Sequence, residues 1–327
     1  FVFVQDGKSF NVSCSIGAAL IDPFVETAEE ALSHADIACN LAKAQGRNRI
    51  NIYDPTDSNK AGMAEDMGWA SRVREMLEQD KFQLAYQPII SLSNDQVQDY
   101  EVLVRMVCDD GEIILPGGFM PAAERFGLIH SVDRWIVNRA LSQLARLHSQ
   151  GEEVRFSINL SGKAFEDASL LPMIQDLLDD SRIDPSKVCF EITETAAIAK
   201  LSEAKRFISE LKSMGCLFAL DDFGAGFSSF AYLKNLPVDK LKIDGAFVQG
   251  MATSQIDQAM VKSMNQVAQA LGKQTIAEYV EDAATLELLR NFGVDYAQGN
   301  YIGKPREALM SITRLAASPV QCIGRVD

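Results

Sequence analysis

The sequence predicts an α/β fold: a closed, largely parallel barrel with outer helices and one antiparallel strand near its start, preceded by a small α+β fragment. Three observations predict it. Strand-like and helix-like segments alternate from Phe82 onward, the first two strand runs are separated only by Ser91–Gln96, and polar residues recur where apolar runs stop. Alternation points to parallel strands, because a crossover helix carries the chain back to the end where the next strand starts. The Ser91–Gln96 connection is too short for such a crossover, so the strands that it joins pair antiparallel. A TIM-barrel-like (β/α)8 variant with one reversed strand meets all three observations. A doubly wound open sheet is the alternative that alternation alone also allows.

The elements follow in order. From Phe1 to Tyr53 the pattern is strand, loop, helix, strand, with Asn11–Gly17 extended, Ala28–Gln45 helical and Asn48–Tyr53 extended. Phe1 lies inside a strand-like run, so the chain is expected to be part of a longer polypeptide. Polar Asp54–Gly62, with Pro55 and Gly62, reads as a boundary. The expected organisation is an amino-terminal fragment over 1–55, a linker over 56–66, the barrel over 67–315 and a tail over 316–327. Met63–Gln79 is helical in period. The strand candidates are Phe82–Ile90, Val97–Val104, Val154–Asn159, Val188–Ile192, Cys216–Asp221, Lys240–Ile243, Gln274–Ala277 and Tyr296–Ala297.

Composition narrows the function. A chain of 327 residues with 47% hydrophobic content can bury a large core. A net charge of −14 excludes a broad basic face for DNA or RNA, so an anionic ligand needs metal ions or a few placed cations. The six cysteines form no Cys-x-x-Cys pair, which predicts reduced thiols and a cytoplasmic setting, or the cytoplasmic face of the inner membrane if a preceding region is anchored there. No apolar run reaches the roughly 18 residues that span a bilayer.

The chemistry gathers at predicted strand ends, where barrels of this kind carry their sites. Leu220–Gly226 places two adjacent acids, Asp221 and Asp222, between an apolar run and a glycine-rich loop. Neighbouring carboxylates repel unless a divalent cation or strong donor lies between them; a capped loop is the structural alternative. Glu101, Asn159, Glu191, Lys242, Glu278 and Gln298 occupy comparable positions on other strands. Carboxylates and an amide are hard ligands that suit Mg²⁺ or Mn²⁺. Two such ions, about 4 Å apart, serve phosphodiester hydrolysis by clamping the entering and leaving oxygens. Lys242 is placed to hold the attacking water, help deprotonate it, or stabilise phosphoryl charge. Arg105, four residues after Glu101, shares its strand face and suits a phosphate. Gln87 either contacts substrate or satisfies backbone groups, while Glu194 and Glu281 are placed to brace loops.

Gln87-Pro88-Ile89, Glu101-Val102-Leu103-Val104-Arg105, Asn159-Leu160-Ser161, Glu191-Ile192-Thr193-Glu194, Asp221-Asp222-Phe223-Gly224, Leu241-Lys242-Ile243-Asp244, Glu278-Tyr279-Val280-Glu281 and Gln298-Gly299 together resemble the motif series of EAL-domain cyclic di-GMP phosphodiesterases. The resemblance covers roughly residues 65 to 310. It implies hydrolysis of cyclic di-GMP to linear pGpG with two Mg²⁺ or Mn²⁺ ions. It implies a first ion on Glu101, Asn159, Glu191 and Asp221, and a second on Asp221, Asp222 and Glu278. Catalysis then falls to Glu101, Asp221, Asp222, Lys242 and Glu278. Gln87, Leu103, Arg105, Asp222 and Gln298 hold the substrate, and Glu194 steadies the loop from Asp222 to Ser229. A homodimer is also implied. Val102 stands where the name-giving motif has Ala, and Met106 where Trp is frequent; Val102 is expected to tilt Glu101 slightly and slow turnover.

Val12–Gly17 and Ala35–Arg49 resemble the closing part of a GGDEF diguanylate cyclase domain, without the signature loop that carries cyclase chemistry. Asp36 and Lys43 are accordingly expected to be structural. Two further readings of the whole chain stand beside the hydrolase: a catalytically silent cyclic di-GMP receptor that signals to a partner protein, and a barrel enzyme acting on another metal-bound substrate such as an acid sugar.

Overall fold

The computed structural model describes residues 59–108, 111–226 and 230–309, and, nearer the amino terminus, 2–5, 8–11, 14–21, 27–28, 31–32, 34–35, 38–39, 42 and 49–53. Asp36, Lys43, Ser229 and the tail 316–327 lie outside the described residues. The fold divides into two units, Phe1–Glu75 with Gly117–Leu128, and Met76–Pro116 with Ile129–Asp327.

In the first unit Val2–Gln5 (β1) pairs antiparallel with Lys8–Asn11 (β2), and Ile16–Ala18 (β3) pairs in parallel with Ile50–Ile52 (β4). The sequence reads Asn11–Gly17 as one strand; the structure ends one strand at Asn11 and starts another at Ile16. The described residues between Ala28 and Ala42 are helical, as expected. Asn59–Glu78 (α1) then forms a helix, so 59–66 of the expected linker is helical. Its run of good helix formers continues the period of Met63–Gln79 backward through Gly62, where a single glycine costs only about 1 kcal/mol.

In the second unit eight strands close a ring. They are Phe82–Ser91 (β5), Val97–Val107 (β6), Arg155–Asn159 (β8), Val188–Thr193 (β9), Leu217–Phe223 (β10), Lys240–Ile243 (β11), Gln274–Ala277 (β12) and Tyr296–Gln298 (β13). Ile113–Ile114 (β7) adds a short antiparallel rung to β6 outside the ring. β5 runs antiparallel to β6 and to β13, and the other neighbours in the ring are parallel. Pairing of Gln87 with Glu101 on one side of β5 and of Ile89 with Gln298 on the other closes the sheet, which rules out the open doubly wound alternative.

Strand period two sends alternate residues outward and inward. Phe156, Ile158, Phe190, Ile192, Phe218 and Leu220 are almost fully buried, each contributing about 1.5–3 kcal/mol by leaving water. Helices cover the ring. Leu201–Ser213 shows the pattern, burying Ala204, Phe207, Ile208 and Leu211 at helical spacing. Side chains stop and start these helices: Thr193, Asp244, Ser254 and Asp282 each accept a backbone N–H of the first turn, and Gly293 at φ 74° ends Ala283–Phe292.

A charged cluster lies inside the barrel below the strand ends. Asp99 on β6 is 2.6 Å from Arg155 Nε and 3.4 Å from Lys240 Nζ, and the ammonium sits 4.7 Å from the centroid of the Tyr296 ring. Lys240 and Asp99 are almost completely buried. Removing Asp99 leaves the buried Lys240 ammonium without a carboxylate partner, so Asp99→Ala should lower stability by about 3–5 kcal/mol in urea unfolding. Arg206→Ala, which breaks the exposed pair with Glu210, should leave it almost unchanged. Equal small losses would contradict the burial of the Asp99 cluster.

Candidate active site

Lys242 is the centre of the upper interior. It projects from β11 with no exposure to solvent, and its Nζ is 2.8 Å from Glu191 Oε2, 2.8 Å from Glu278 Oε1, 3.1 Å from Asp221 Oδ1 and 3.6 Å from Glu101 Oε1. The ammonium is in ion-pair range of all four carboxylates but aligned for a hydrogen bond with none. Burial opposes its charge, yet Asp221, Glu101, Glu191 and Glu278 outweigh that and hold its pKa well above the ordinary lysine value. It is therefore a donor to oxygen, which fits holding a water.

The carboxylates differ in state because they differ in partners. Burial works against ionisation of Glu101, but Lys242 and hydrogen bonds from Gln298 and Asn159 hold its pKa below the usual range. Asn159 Nδ2 donates to Glu101 Oε1 at 2.6 Å, and Gln298 Nε2 donates to the other oxygen and to Gln87 Oε1 at 3.1 Å. Glu191, fully buried with no aligned donor, is pushed up to about 7 by burial against the pull of Lys242. Burial likewise pushes Glu278 up to about 8, and raises Asp222 with help from Asp221.

The strand expected over Cys216–Asp221 runs instead over Leu217–Phe223, so that Asp222 as well as Asp221 lies within β10. Adjacent residues of a regular strand face opposite sides. Here the register to β11 shifts between Leu220 and Phe223, and Asp222 adopts φ 55°. That bulge turns both carboxylates to one place, where Asp221, Asp222 and Glu278 each offer an oxygen within 4.8 Å of the others.

These residues fit divalent cations. Among the described residues Glu191 Oε1 and Oε2 and Asp221 Oδ1 are buried oxygens without a hydrogen-bond partner, and four carboxylates share one ammonium with Asp222 beside them. The donors are all oxygens, which matches Mg²⁺ or Mn²⁺.

Above the cluster a cavity of about 320 Å³ is bounded by Gln87, Leu103, Arg105, Tyr279 and Asn300, among others. Arg105 donates to the Val104 carbonyl at 2.8 Å, and no described carboxylate stands within ion-pair range, so its fork is available to an anion. Glu194 accepts from Gly224 N at 2.9 Å and from Tyr232 Oη at 2.7 Å, which ties down the chain after Asp222. Glu281 is exposed at the rim and makes no hydrogen bond or ion pair among the described residues, so the expected bracing role is not seen. Gly299 is required: a Cβ there would sit 2.2 Å from Val280 N and O, where β13 meets the segment after Glu278.

Val102 and Met106 depart from the motif without entering the site. Val102 is 1% exposed, on the strand face opposite Glu101, and Met106 is fully buried. The extra methyls pack in the barrel wall, while Asn159 and Gln298 fix the Glu101 carboxylate.

Sequence reasoning missed Asp133, Tyr279, Asn300 and Pro305. Asp133 accepts from Ser161 N at 3.2 Å and Ser161 Oγ at 2.5 Å, anchoring the turn that follows Asn159. A lone acid on an amphipathic helix gives no signal of that role. Tyr279, Asn300 and Pro305 line the cavity, but none is an acid at a predicted strand end.

Over 299 residues the chain is 38% identical to the cyclic di-GMP phosphodiesterase PdeB of Shewanella oneidensis, covering 91% of this chain and 35% of that protein. It is 33% identical over 253 residues to the cyclic di-GMP phosphodiesterase PdeF of Escherichia coli, covering 77% of this chain and 34% of PdeF. The chain thus spans about a third of the length of these curated relatives. The crystal structure of the FimX EAL domain from Pseudomonas aeruginosa bound to c-di-GMP superposes with a TM-score of 0.69 at 32% identity, over 73% of this chain and 97% of that one. Residues 70–305 match the profile of the EAL domain. Carrying that match on a closed barrel with the acidic cluster at its strand ends, the chain belongs to the EAL domain family.

Proposed function

We propose that this chain hydrolyses one phosphodiester bond of cyclic di-GMP to give linear pGpG. The observation that carries the reading is the complete set of Glu101, Asn159, Glu191, Asp221, Asp222 and Glu278 around Lys242. Related proteins named as cyclic di-GMP phosphodiesterases, and a related EAL domain bound to c-di-GMP, support the substrate.

Glu101, Asn159, Glu191 and Asp221 are the residues to hold one Mg²⁺ or Mn²⁺, and Asp221, Asp222 and Glu278 a second. When bound, such ions supply Lewis-acid charge that neutralises the phosphoryl oxygens. The chain's own residues do the rest. Arg105, with Gln87 and Leu103 beside it, orients the dinucleotide so that one phosphorus faces the carboxylate cluster. The Lys242 ammonium holds the attacking water by its oxygen. The water oxygen bonds to phosphorus, the bond from phosphorus to the 3′ oxygen breaks, one water proton ends on the 3′-hydroxyl and the other is released. Gln298 keeps Glu101 in place through the amide bridge to Gln87. Glu194 keeps the chain after Asp222 in position.

The proposal extends to the setting. Residues 67–315 form the catalytic barrel, 1–55 the closing part of a GGDEF-type domain, and the barrel works as a homodimer in the cytoplasm or at its membrane face. No helix among the described residues is long and apolar enough to cross a membrane.

Chromatography after incubation with cyclic di-GMP and Mg²⁺ or Mn²⁺ should give pGpG. Chelation should abolish the product and added metal restore it. Glu101→Ala should lower turnover by about 10²-fold or more. Tight binding without product under either metal would make the chain a receptor. Val102→Ala should change kcat by less than about threefold while costing about 1–2 kcal/mol of stability through the cavity it leaves in the wall. A large gain in kcat would show that Val102 does misplace Glu101.

A further inference from the structure

Tyr86 carries a hydroxyl that the protein leaves unused, and it opens into a cavity on the outer wall of the barrel. Tyr86 lies on β5 beside Gln87, and strand alternation sends the two side chains to opposite faces, Gln87 to the catalytic mouth and Tyr86 outward. The residue is 6% exposed, and its ring is fixed by stacking on Phe156, with centroids 5.1 Å apart. Its backbone is fixed as well, exchanging hydrogen bonds of 2.7 and 3.1 Å with Arg306. Yet the phenol makes no hydrogen bond among the described residues. Buried polar groups are nearly always satisfied, so an orphan held this firmly calls for a partner from outside the chain.

The surroundings say what kind. The cavity, of about 260 Å³, lies between β5 and the helix Ile129–Ser149 and is bordered by Phe82, Tyr86, Arg139, Gln143, Arg146 and, at the rim, Glu307. Arg139, Gln143 and Arg146 are spaced i, i+4 and i+7, so they share one helical face. Arg146 Nε donates to Gln143 Oε1 at 3.2 Å, which leaves the terminal nitrogens of the guanidinium and the Gln143 amide nitrogen uncommitted. Arg139 reaches Asp80 only at 3.8 Å, in an exposed pair that contributes little. In a chain of net charge −14, no described carboxylate stands within ion-pair range of Arg146, and the exposed Glu307 pairs with neither arginine. Burial pushes the Tyr86 phenol up to about 12 against the pull of the two guanidiniums, so at neutral pH it is an O–H donor.

We propose that this cavity is a second, noncatalytic anion site that takes a dianionic phosphate group, free or as a phosphomonoester. Two guanidiniums match the charge of about −1.5 to −2 that such a group carries at neutral pH, and their forks match its oxygens. The phenol and the Gln143 amide add neutral donors from the floor and side. A carboxylate monoanion leaves one guanidinium unmatched. The site is independent of the hydrolase reading, because it lies on the other side of the strand wall from the carboxylate cluster and no described residue borders both cavities.

Isothermal titration calorimetry on the whole chain in chelator, so that the catalytic carboxylates hold no metal, tests it. Inorganic phosphate and ribose 5-phosphate are titrated in turn, with acetate at matched ionic strength as the control. The phosphate compounds should fill one site per chain and acetate should bind at least about tenfold more weakly. Arg146→Gln should weaken both phosphate compounds about tenfold or more. Tyr86→Phe should weaken them about threefold without lowering Tm, since its hydroxyl has no protein partner to lose. Arg105→Gln, at the catalytic mouth, should leave these affinities unchanged. Tighter binding of ribose 5-phosphate assigns the site to an ester and equal affinities assign it to the free ion; both uphold it. No binding of either phosphate compound, acetate bound as tightly as phosphate, or affinity lost in Arg105→Gln but kept in Arg146→Gln would each overturn it.

Discussion

The crowding of four carboxylates around one buried ammonium, with Asp222 beside them, is the constraint on which the rest of this structure depends. Two like charges about 4 Å apart repel by about 4 kcal/mol at the dielectric typical of protein sites. Lys242 offsets part of that repulsion and no more. Glu101, with two amide donors as well as Lys242, is held ionised, whereas Glu191 and Glu278 are driven up toward neutral pH by burial. The same ammonium has three N–H donors for four carboxylates within ion-pair range. The unmet demand is for more positive charge of a hard kind, which divalent cations meet.

Only a rigid frame can hold such a cluster together. The barrel supplies it through register: Glu101 pairs with Gln87 across β5 and with Ser157 across β8, and Asn159 with Glu191 across β9, so neighbouring strands deliver their polar ends at one height. The lower layer inverts the logic in miniature: one carboxylate, Asp99, serves two cations, Arg155 and Lys240, and the Tyr296 ring faces the ammonium. Where regular geometry cannot serve, the backbone departs from it. At Asp222 the strained backbone gathers a second carboxylate.

Much of this was legible in the sequence because period and chemistry coincide in strands. Lys240–Ile243 and Gln274–Ala277 occupy the predicted residues, and the short Ser91–Gln96 link foretold the reversed β5. The acids at strand ends were legible for the same reason. Conformation specific to one residue was not. Period two places Asp221 and Asp222 on opposite faces, and only the bulge brings them together. The place of the Tyr279 ring depends on a positive φ and on a glycine 34 positions earlier in the chain, neither of which has a periodic signature. Asn59–Gly62 looked like a linker because composition outweighed period there, although the helix runs through it. Val102 was read as a disturbance of its neighbour, when alternation places the two side chains on opposite sides of the wall.

The central claim is that this cluster is built for a pair of divalent cations, and the most direct measurement is the stoichiometry and spin coupling of bound Mn²⁺ by electron paramagnetic resonance. The account predicts two ions per chain close enough to couple magnetically, falling to one isolated ion in Asp222→Asn. A native chain that holds no Mn²⁺, or a single ion indifferent to that substitution, would contradict it.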